Sequence, residues 1–266
     1  MHLTSSRLRP AAAMAALALL AGCGGADTAA PDRLSPVEAV RAAASQTAEA
    51  GSSRYEMTLV TEVQGQSVEM GGGGVMDPAT GAAESTFTLP GGAGTIEQRV
   101  VDGTMYMTLP NQTGWYAIAV EDLVGTQLAS AAAPTDAFAA LTDLAGGVEE
   151  VGEEDVRGEP ATRYRGAFPA DVAREQFGGA LGEAAGKALA SIEEVPFEVW
   201  IDDQGRVRRY TTTVDIPASD ATGGEPVSSS MTMELFDFGV EVDVQAPPAD
   251  EVQDGQVILD GLRGLS

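Results

Sequence analysis

Val100-Val101-Asp102-Gly103-Thr104-Met105-Tyr106-Met107 decides the fold class. Asp-Gly between two runs of β-forming residues signals a two-residue hairpin, because that turn needs positive φ at both central positions. Extended outward, residues 96–101 and 104–109 become two paired strands. The chain before them keeps the same period of two. Tyr55, Met57, Leu59, Thr61 and Val63 share one face, and Arg54, Glu56, Thr58 and Glu62 the other, as in a half-buried strand. Gly65-Gln66 turns the chain into a second strand with Val68 and Met70. Gly71 to Gly74 reads as a flexible break, Asp77-Pro78 as a turn and residues 84–89 as a third strand. Gly114-Trp115-Tyr116 opens a short strand to Val120. Residues 53–120 are thus expected to form an antiparallel meander with one apolar and one polar face.

Before the meander the period changes. Ser35-Pro36-Val37-Glu38 offers an N-cap, a proline at the first helical position and an acid at the third. Residues 36–50 are alanine-rich, carry Val37, Val40 and Ala44 on one face, and stop at Gly51, which predicts a helix. Beyond the meander, residues 134–145 carry Phe138, Leu141 and Leu144 three apart and stop at Gly146-Gly147, a second helix. Residues 148–156 alternate apolar and acidic, Gly158 turns the chain, and residues 161–166 set Thr162 and Tyr164 opposite Arg163 and Arg165. Residues 169–192 predict a third helix with the stripe Phe177, Leu181, Ala185, Ala188 and Ile192. Gly178, Gly179 and Gly182 weaken it by about 1 kcal/mol each against alanine, marking it as broken or mobile. Strands resume at residues 197–201 and 207–214 around Asp202-Asp203-Gln204-Gly205, then at 229–236, where Met231, Met233 and Leu235 share a face. Residues 238–244 read as one more strand, and Pro247-Pro248 closes the sheet. Val257, Ile258, Leu259 and Leu262 indicate a short final element packed back on the body. This order predicts an α+β fold: one domain with a large curved antiparallel sheet and helices on its concave face. Two half-domains split near residue 148 are the alternative.

The N-terminus assigns a location. Arg7 and Arg9 precede an apolar run over residues 11–20, too short to span a bilayer, and Leu20-Ala21-Gly22-Cys23 follows. This resembles the bacterial lipobox, in which the cysteine thiol is acylated and the peptide before it removed. Cys23 is the sole cysteine. Two or three acyl chains, at about 0.8 kcal/mol per buried methylene, would make the attachment permanent. Residues 1–22 are read as signal peptide, 23–35 as a flexible Gly/Ala/Asp/Pro tether, 36–252 as the body and 253–266 as the tail. The expected place is the extracytoplasmic face of the cell membrane.

Composition excludes several classes of function. Losing Arg7 and Arg9 with the signal leaves 13 basic residues against 40 acidic ones, a net −27. Nucleic acid needs clustered cations over phosphates, and an anionic membrane repels such a chain. Strong acidity favours a soluble monomer. The sole histidine, His2, also leaves with the signal. Without histidine or free thiol there is no Ser-His-Asp or Cys-His site and no His- or Cys-ligated zinc. The sequence has no P-loop, G-x-S-x-G or EF-hand pattern. Carboxylate pairs among 40 acids are the chance product of a solvated surface. The chain reads as a binding protein, not an enzyme, with no cofactor or metal. Its seven remaining methionines (Met57, Met70, Met76, Met105, Met107, Met231 and Met233) fall on or beside predicted strands. Flexible thioethers suit a surface that accepts varied acyl chains, and suit ordinary core filling equally. Copper(I) held by the pairs Met105/Met107 and Met231/Met233 is a third reading, weakened by the lack of histidine and cysteine.

Three runs in order carry a family resemblance: Val100 to Met107 followed by Gly114-Trp115-Tyr116; Asp155-Val156-Arg157-Gly158-Glu159-Pro160-Ala161-Thr162-Arg163-Tyr164; and Val199-Trp200-Ile201-Asp202-Asp203-Gln204-Gly205-Arg206-Val207-Arg208-Arg209. Behind a lipobox and an N-terminal helix, they resemble the actinobacterial LppX/LprG-type lipoproteins (LppX_LprAFG) over roughly residues 35–250. The resemblance implies a half-open β-barrel similar to the LolA/LolB lipoprotein carriers, with helices across its mouth. It implies an apolar cavity that binds acylated lipid or glycolipid for transport or presentation, and no catalytic motif. On that basis the expected cavity lining is Met57, Leu59, Met105, Met107, Trp115, Phe138, Leu141, Phe177, Leu181, Trp200, Met231 and Met233. The expected mouth elements are helices 134–145 and 170–192 and the Gly71 to Gly74 loop. The expected partners are the lipid ligand, the membrane through Cys23, and a membrane transporter. The alternative is an envelope sensor or adaptor of the same fold with no stable ligand, resembling the periplasmic anti-sigma regulators.

Overall fold

Ser35 sets the start of α1 (Pro36–Glu49): its N–H and Oγ both donate to the Glu38 carboxylate, at 2.9 and 2.5 Å. Pro36 sits where a helix has no N–H bond to lose. Val40, Ala43, Ala44 and Thr47 form the buried stripe of α1. The computed structural model describes residues 34–123, 128, 138–169, 172, 192–218 and 224–263. After α1 a first meander runs β1 (Ser53–Val63), β2 (Gln66–Asp77), β3 (Ala82–Thr88), β4 (Thr95–Val101), β5 (Thr104–Met107) and β6 (Trp115–Ala119). Asp102 and Gly103, at φ 48° and 73°, make the two-residue turn the sequence predicts. The single helical turn α2 (Ala139–Thr142) leads to a second meander: β7 (Glu149–Val156), β8 (Glu159–Pro169), β9 (Glu194–Asp202), β10 (Val207–Ile216) and β11 (Val227–Phe236). The short β12 (Val252–Asp254) and helix α3 (Gln256–Arg263) end the described chain.

All twelve strands belong to one sheet, ordered β12-β6-β5-β4-β3-β2-β1-β11-β10-β9-β8-β7. The two meanders meet along a single seam, where β1 pairs antiparallel with β11 from Arg54↔Phe236 to Val63↔Val227. Among the described strands only β12, beside β6, pairs in parallel. The outcome is the expected α+β architecture, a large, open, curved sheet with few helices.

Three local expectations fail. Gly71 to Gly74 is no break: all four glycines lie inside β2, laddered to β1 (Met57↔Gly72, Tyr55↔Gly74) and to β3 (Gly72↔Phe87, Gly74↔Ser85). At Gly72, Gly73 and Gly74 the backbones approach too closely for side chains. A Cβ on Gly72 would sit 2.5 Å from Phe87 Cδ1, and one on Gly73 or Gly74 would collide with the carbonyl of Tyr55 or Glu84. Residues 238–244 form no strand, because β11 already has β1 and β10 on its two sides. They begin a strap instead. Gly239 N–H donates to the Ser52 carbonyl (2.7 Å), Ser52 Oγ donates to the Val240 carbonyl (2.5 Å), and Arg99 Nη1 donates to the Gln245 carbonyl (3.4 Å). Nor do Pro247 and Pro248 close the sheet, since the strap continues into β12 and α3, which buries Leu259 completely. Of the helix predicted over 134–145, residues 138–145 are described and only α2 is α-helical. The helix predicted over 169–192 lies outside the described residues except for Pro169, which ends β8, Val172 and Ile192.

Candidate functional site

Strand alternation gives each side chain row to one face of the sheet. The face packed against α1 and α2 holds one continuous core. One row crosses it as Val199, Tyr210, Met233, Met57, Gly72, Phe87 and Ile96. A neighbouring row runs Leu235, Tyr55, Gly74, Ser85, Gln98, Met107 and Tyr116. Met105, Met107, Phe138, Leu141 and Met233, five of the residues expected to line a cavity, are buried in this core. A third row, Phe197, Thr212, Met231, Leu59 and Met70, behaves differently. Phe197 and Thr212 are buried, but Met231, Leu59 and Met70 are half-buried, and so is Met57 in the row beside them. Farther along the same face Val63 and Val68 are exposed. The inner face therefore grades from a sealed floor to an open apolar end.

The floor has an aromatic centre. Phe138 meets the Tyr210 ring edge-on at 5.9 Å, Phe197 stacks on it at 6.5 Å, and Phe168 lies 4.6 Å from Phe197. Arg41 of α1 donates to the Leu144 carbonyl and so ties the α2 segment down over this cluster. The Tyr210 hydroxyl is sealed without a hydrogen bond of normal geometry; its neighbour Thr212 donates to the Pro196 carbonyl instead (3.1 Å). Burial pushes the Tyr210 phenol far above its usual range, and the Thr212 hydroxyl offsets this only slightly. Burial also raises Tyr55, against a smaller opposing effect from Ser85. Tyr210 was not legible as a core residue, because a bulge between Val207 and Arg209 breaks the alternation just before it.

Residues 35–244 match the LppX_LprAFG lipoprotein family. The chain belongs to that family. An uncharacterized 31.2 kDa protein from the rplA-rplJ intergenic region of Streptomyces griseus is 27% identical over 259 residues, 85% of this chain and 81% of the relative. Among solved structures, lipoprotein LppX of Mycobacterium tuberculosis is 16% identical with a TM-score of 0.49, covering 78% of this chain and 98% of its own. LprF of Mycobacterium bovis is 14% identical with a TM-score of 0.46, covering 80% and 97%. At such identities the likeness concerns the fold alone.

In this LppX_LprAFG family member both tryptophans lie on the opposite, outer face, which corrects their expected place in the lining. Trp200 alternates with the inward Val199 and Ile201, and Trp115 with the inward Tyr116 and Ile118. Size argued for the interior, but strand register decides the face. Arg163 and Arg209 cover the Trp200 ring at 5.2 and 5.1 Å, its Nε1 donates to Glu154 (3.1 Å), and Arg99 covers Trp115 at 4.7 Å. Around them runs a charge ladder in which Glu198 takes Arg163 (2.6 Å) and Arg165 (2.9 Å), and Glu234 takes Arg157 (2.6 Å) and Arg209 (2.7 Å). Partial burial would raise Glu198 and Glu234; their arginine hydrogen bonds outweigh it and hold both carboxyls below the usual carboxylate range. Among the described residues no group of three or more His, Cys, Asp or Glu could hold a metal ion, and no helix is long and apolar enough to cross a membrane. Cys23, Phe177 and Leu181 lie outside the described residues.

Proposed function

We propose that the protein is a lipoprotein, anchored through Cys23 at the extracytoplasmic face of the cell membrane, that holds an acylated lipid or glycolipid against the inner face of its sheet. The half-open row Met231, Leu59 and Met70 carries this reading. It is a run of apolar, mostly unbranched side chains left partly uncovered beside a fully sealed core. Contiguous apolar surface of that kind marks a place where something apolar comes to rest, and thioethers adapt to chains of varied shape. An acyl chain that leaves a bilayer for water loses about 0.8 kcal/mol per methylene, and an apolar face returns that amount. Transfer then needs an open end and no chemical step. The chain acts by binding, as a monomer, with a membrane transporter as the partner for onward transfer.

Native mass spectrometry of the body from residue 24, purified from a host rich in diacyl lipids, tests this. A lipid adduct is expected on the wild type and is expected to vanish in Leu59→Asp, whose side chain is half-exposed and so tolerates the change. A wild-type spectrum bare of lipid would leave a ligand-free adaptor as the better reading. Metabolic labelling of the full chain with a palmitate analogue tests the anchor separately, with Cys23→Ala as the unlabelled control.

A further inference from the structure

The strand directions give the body two ends. One end holds the turn between β9 and β10, the start of β1 and the end of β11. The other holds the Gln64-Gly65 turn between β1 and β2, together with Ile216 and Val227. α1 links them. At its C-terminal end Thr47 Oγ1 accepts a hydrogen bond from Val207 N–H (2.8 Å), beside the β9–β10 turn. Arg41, earlier in the helix, reaches the Leu144 carbonyl ahead of β7, and β7 starts at Glu149, which stands level with Arg165, Glu198, Thr211, Thr232 and Thr58, halfway along the sheet. From Thr47 to Arg41 the helix therefore runs away from the first end, and its N-terminus leads toward the second. Two large exposed apolar residues lie at that end, Val63 (37% exposed) and Val68 (47%), and a third, Leu34 (56%), stands just ahead of α1. Val68 pairs with Thr61, so Val63 and Val68 continue the half-open inner row.

We propose that this end docks on a lipid bilayer, with Leu34, Val63 and Val68 at the surface and the inner face opening onto it. The length of chain before Leu34 selects the occupant. The eleven residues from Gly24 to Leu34 reach no more than about 40 Å even when fully extended. A body held at Cys23 therefore keeps this end close to lipid; this step rests on the anchor proposed above. An acyl chain moving between bilayer and inner face then passes along Val63 and Val68 to Met70 and Leu59 without crossing water. The same end carries Glu62, Glu69, Asp215 and Glu225, so it suits zwitterionic lipid and is repelled by anionic lipid at low salt.

The mature chain, coupled through its only thiol to a maleimide lipid in phosphatidylcholine vesicles, provides the test by hydrogen–deuterium exchange. Because the anchor is then chemical, a failure to dock is separate from a failure of Cys23 acylation in cells, and no bound ligand is needed. Amides over residues 61–69 are expected to exchange about fivefold more slowly on vesicles than in the uncoupled chain, while residues 203–206 are unchanged. The double variant Val63→Asp, Val68→Asp changes only exposed side chains and is expected to lose that protection. One fifth phosphatidylglycerol at low salt is expected to weaken it, and 0.5 M salt to restore it. Protection at residues 203–206 instead, no protection at either end, or full protection in the double variant would overturn the proposal.

Discussion

Tyr210 carries a hydroxyl that the core encloses without giving it a hydrogen bond of normal geometry, among Phe138, Phe197 and Met233. A buried donor without a partner costs about 1–3 kcal/mol, and removing it while keeping the ring restores part of that. Tyr210→Phe is expected to match or exceed the wild type by about 1 kcal/mol in urea unfolding. The pH dependence follows from the same burial. With the folded phenol raised above its unfolded value, the folded state keeps a proton that the unfolded state has already lost above the ordinary value of 10.0. Stability therefore falls as pH rises beyond about 10, and Tyr210→Phe is expected to flatten that fall without abolishing it, since Tyr55 is raised too. Glu234 has the opposite sign. Its carboxyl is held low by Arg209 and Arg157 over the opposing effect of burial, so its contribution is present above the ordinary 4.5 and disappears as pH falls through the lower folded value. Glu234→Gln is expected to lower stability at pH 7 and to remove part of the acid-side loss in a pH series of thermal melts. Side chains of this kind were poorly legible in the sequence. Trp200 shows why: its size argues for the interior, yet its position between Val199 and Ile201 puts it outside, under Arg163 and Arg209.

Strand β2 shows both what local sequence determines and where its authority ends. Asp102-Gly103 is legible because the residues that need positive φ are themselves the turn. Gly71 to Gly74 is not, because what makes these glycines a strand is two ladders supplied by residues elsewhere in the chain. The end of the sheet is misread for the same reason: whether residues 238–244 pair depends on β11 having no free side. The four glycines differ in ways a substitution series can read. A Cβ at Gly74 would fall on the Glu84 carbonyl, a backbone atom that cannot swing aside, whereas one at Gly71 meets only Met57 O at 3.9 Å. Gly74→Ala is expected to lose about 3 kcal/mol or more, through overpacking that forces the backbones apart. Gly71→Ala is expected to be neutral or to gain up to about 1 kcal/mol by restricting the unfolded chain. Chemical denaturation of the two single variants measures both. Equal effects would mean that the glycines serve flexibility and not close approach.

At the scale of the whole molecule, two hairpin meanders share one seam and one acidic surface. Each meander pairs neighbours in sequence, which is why most of its strands could be placed without a structure. The β1–β11 seam joins residues near opposite ends of the chain, and no local pattern announces it. Charge is the other global property, and its sign of action has to be decided by magnitude. Among the described residues eight acids have arginine partners: Glu56, Glu84, Glu149, Glu154, Glu198, Asp202, Glu234 and Asp237. Several of these pairs are well exposed, and exposed pairs contribute about 0–1 kcal/mol each. Against them stands a formal charge of −25 over the full chain. Self-repulsion of that net charge acts on the compact state at every site at once and is screened over about 10 Å at 0.1 M salt. Repulsion therefore outweighs the pairs. The melting temperature of the body is expected to rise between 10 mM and 0.3 M NaCl at pH 7. It is expected to rise further in Glu62→Gln, Glu69→Gln at 10 mM, since neither acid has an arginine partner among the described ion pairs. A melting temperature that falls with salt would show that the arginine ladder on the outer face, and not the net charge, sets the electrostatic balance of this fold.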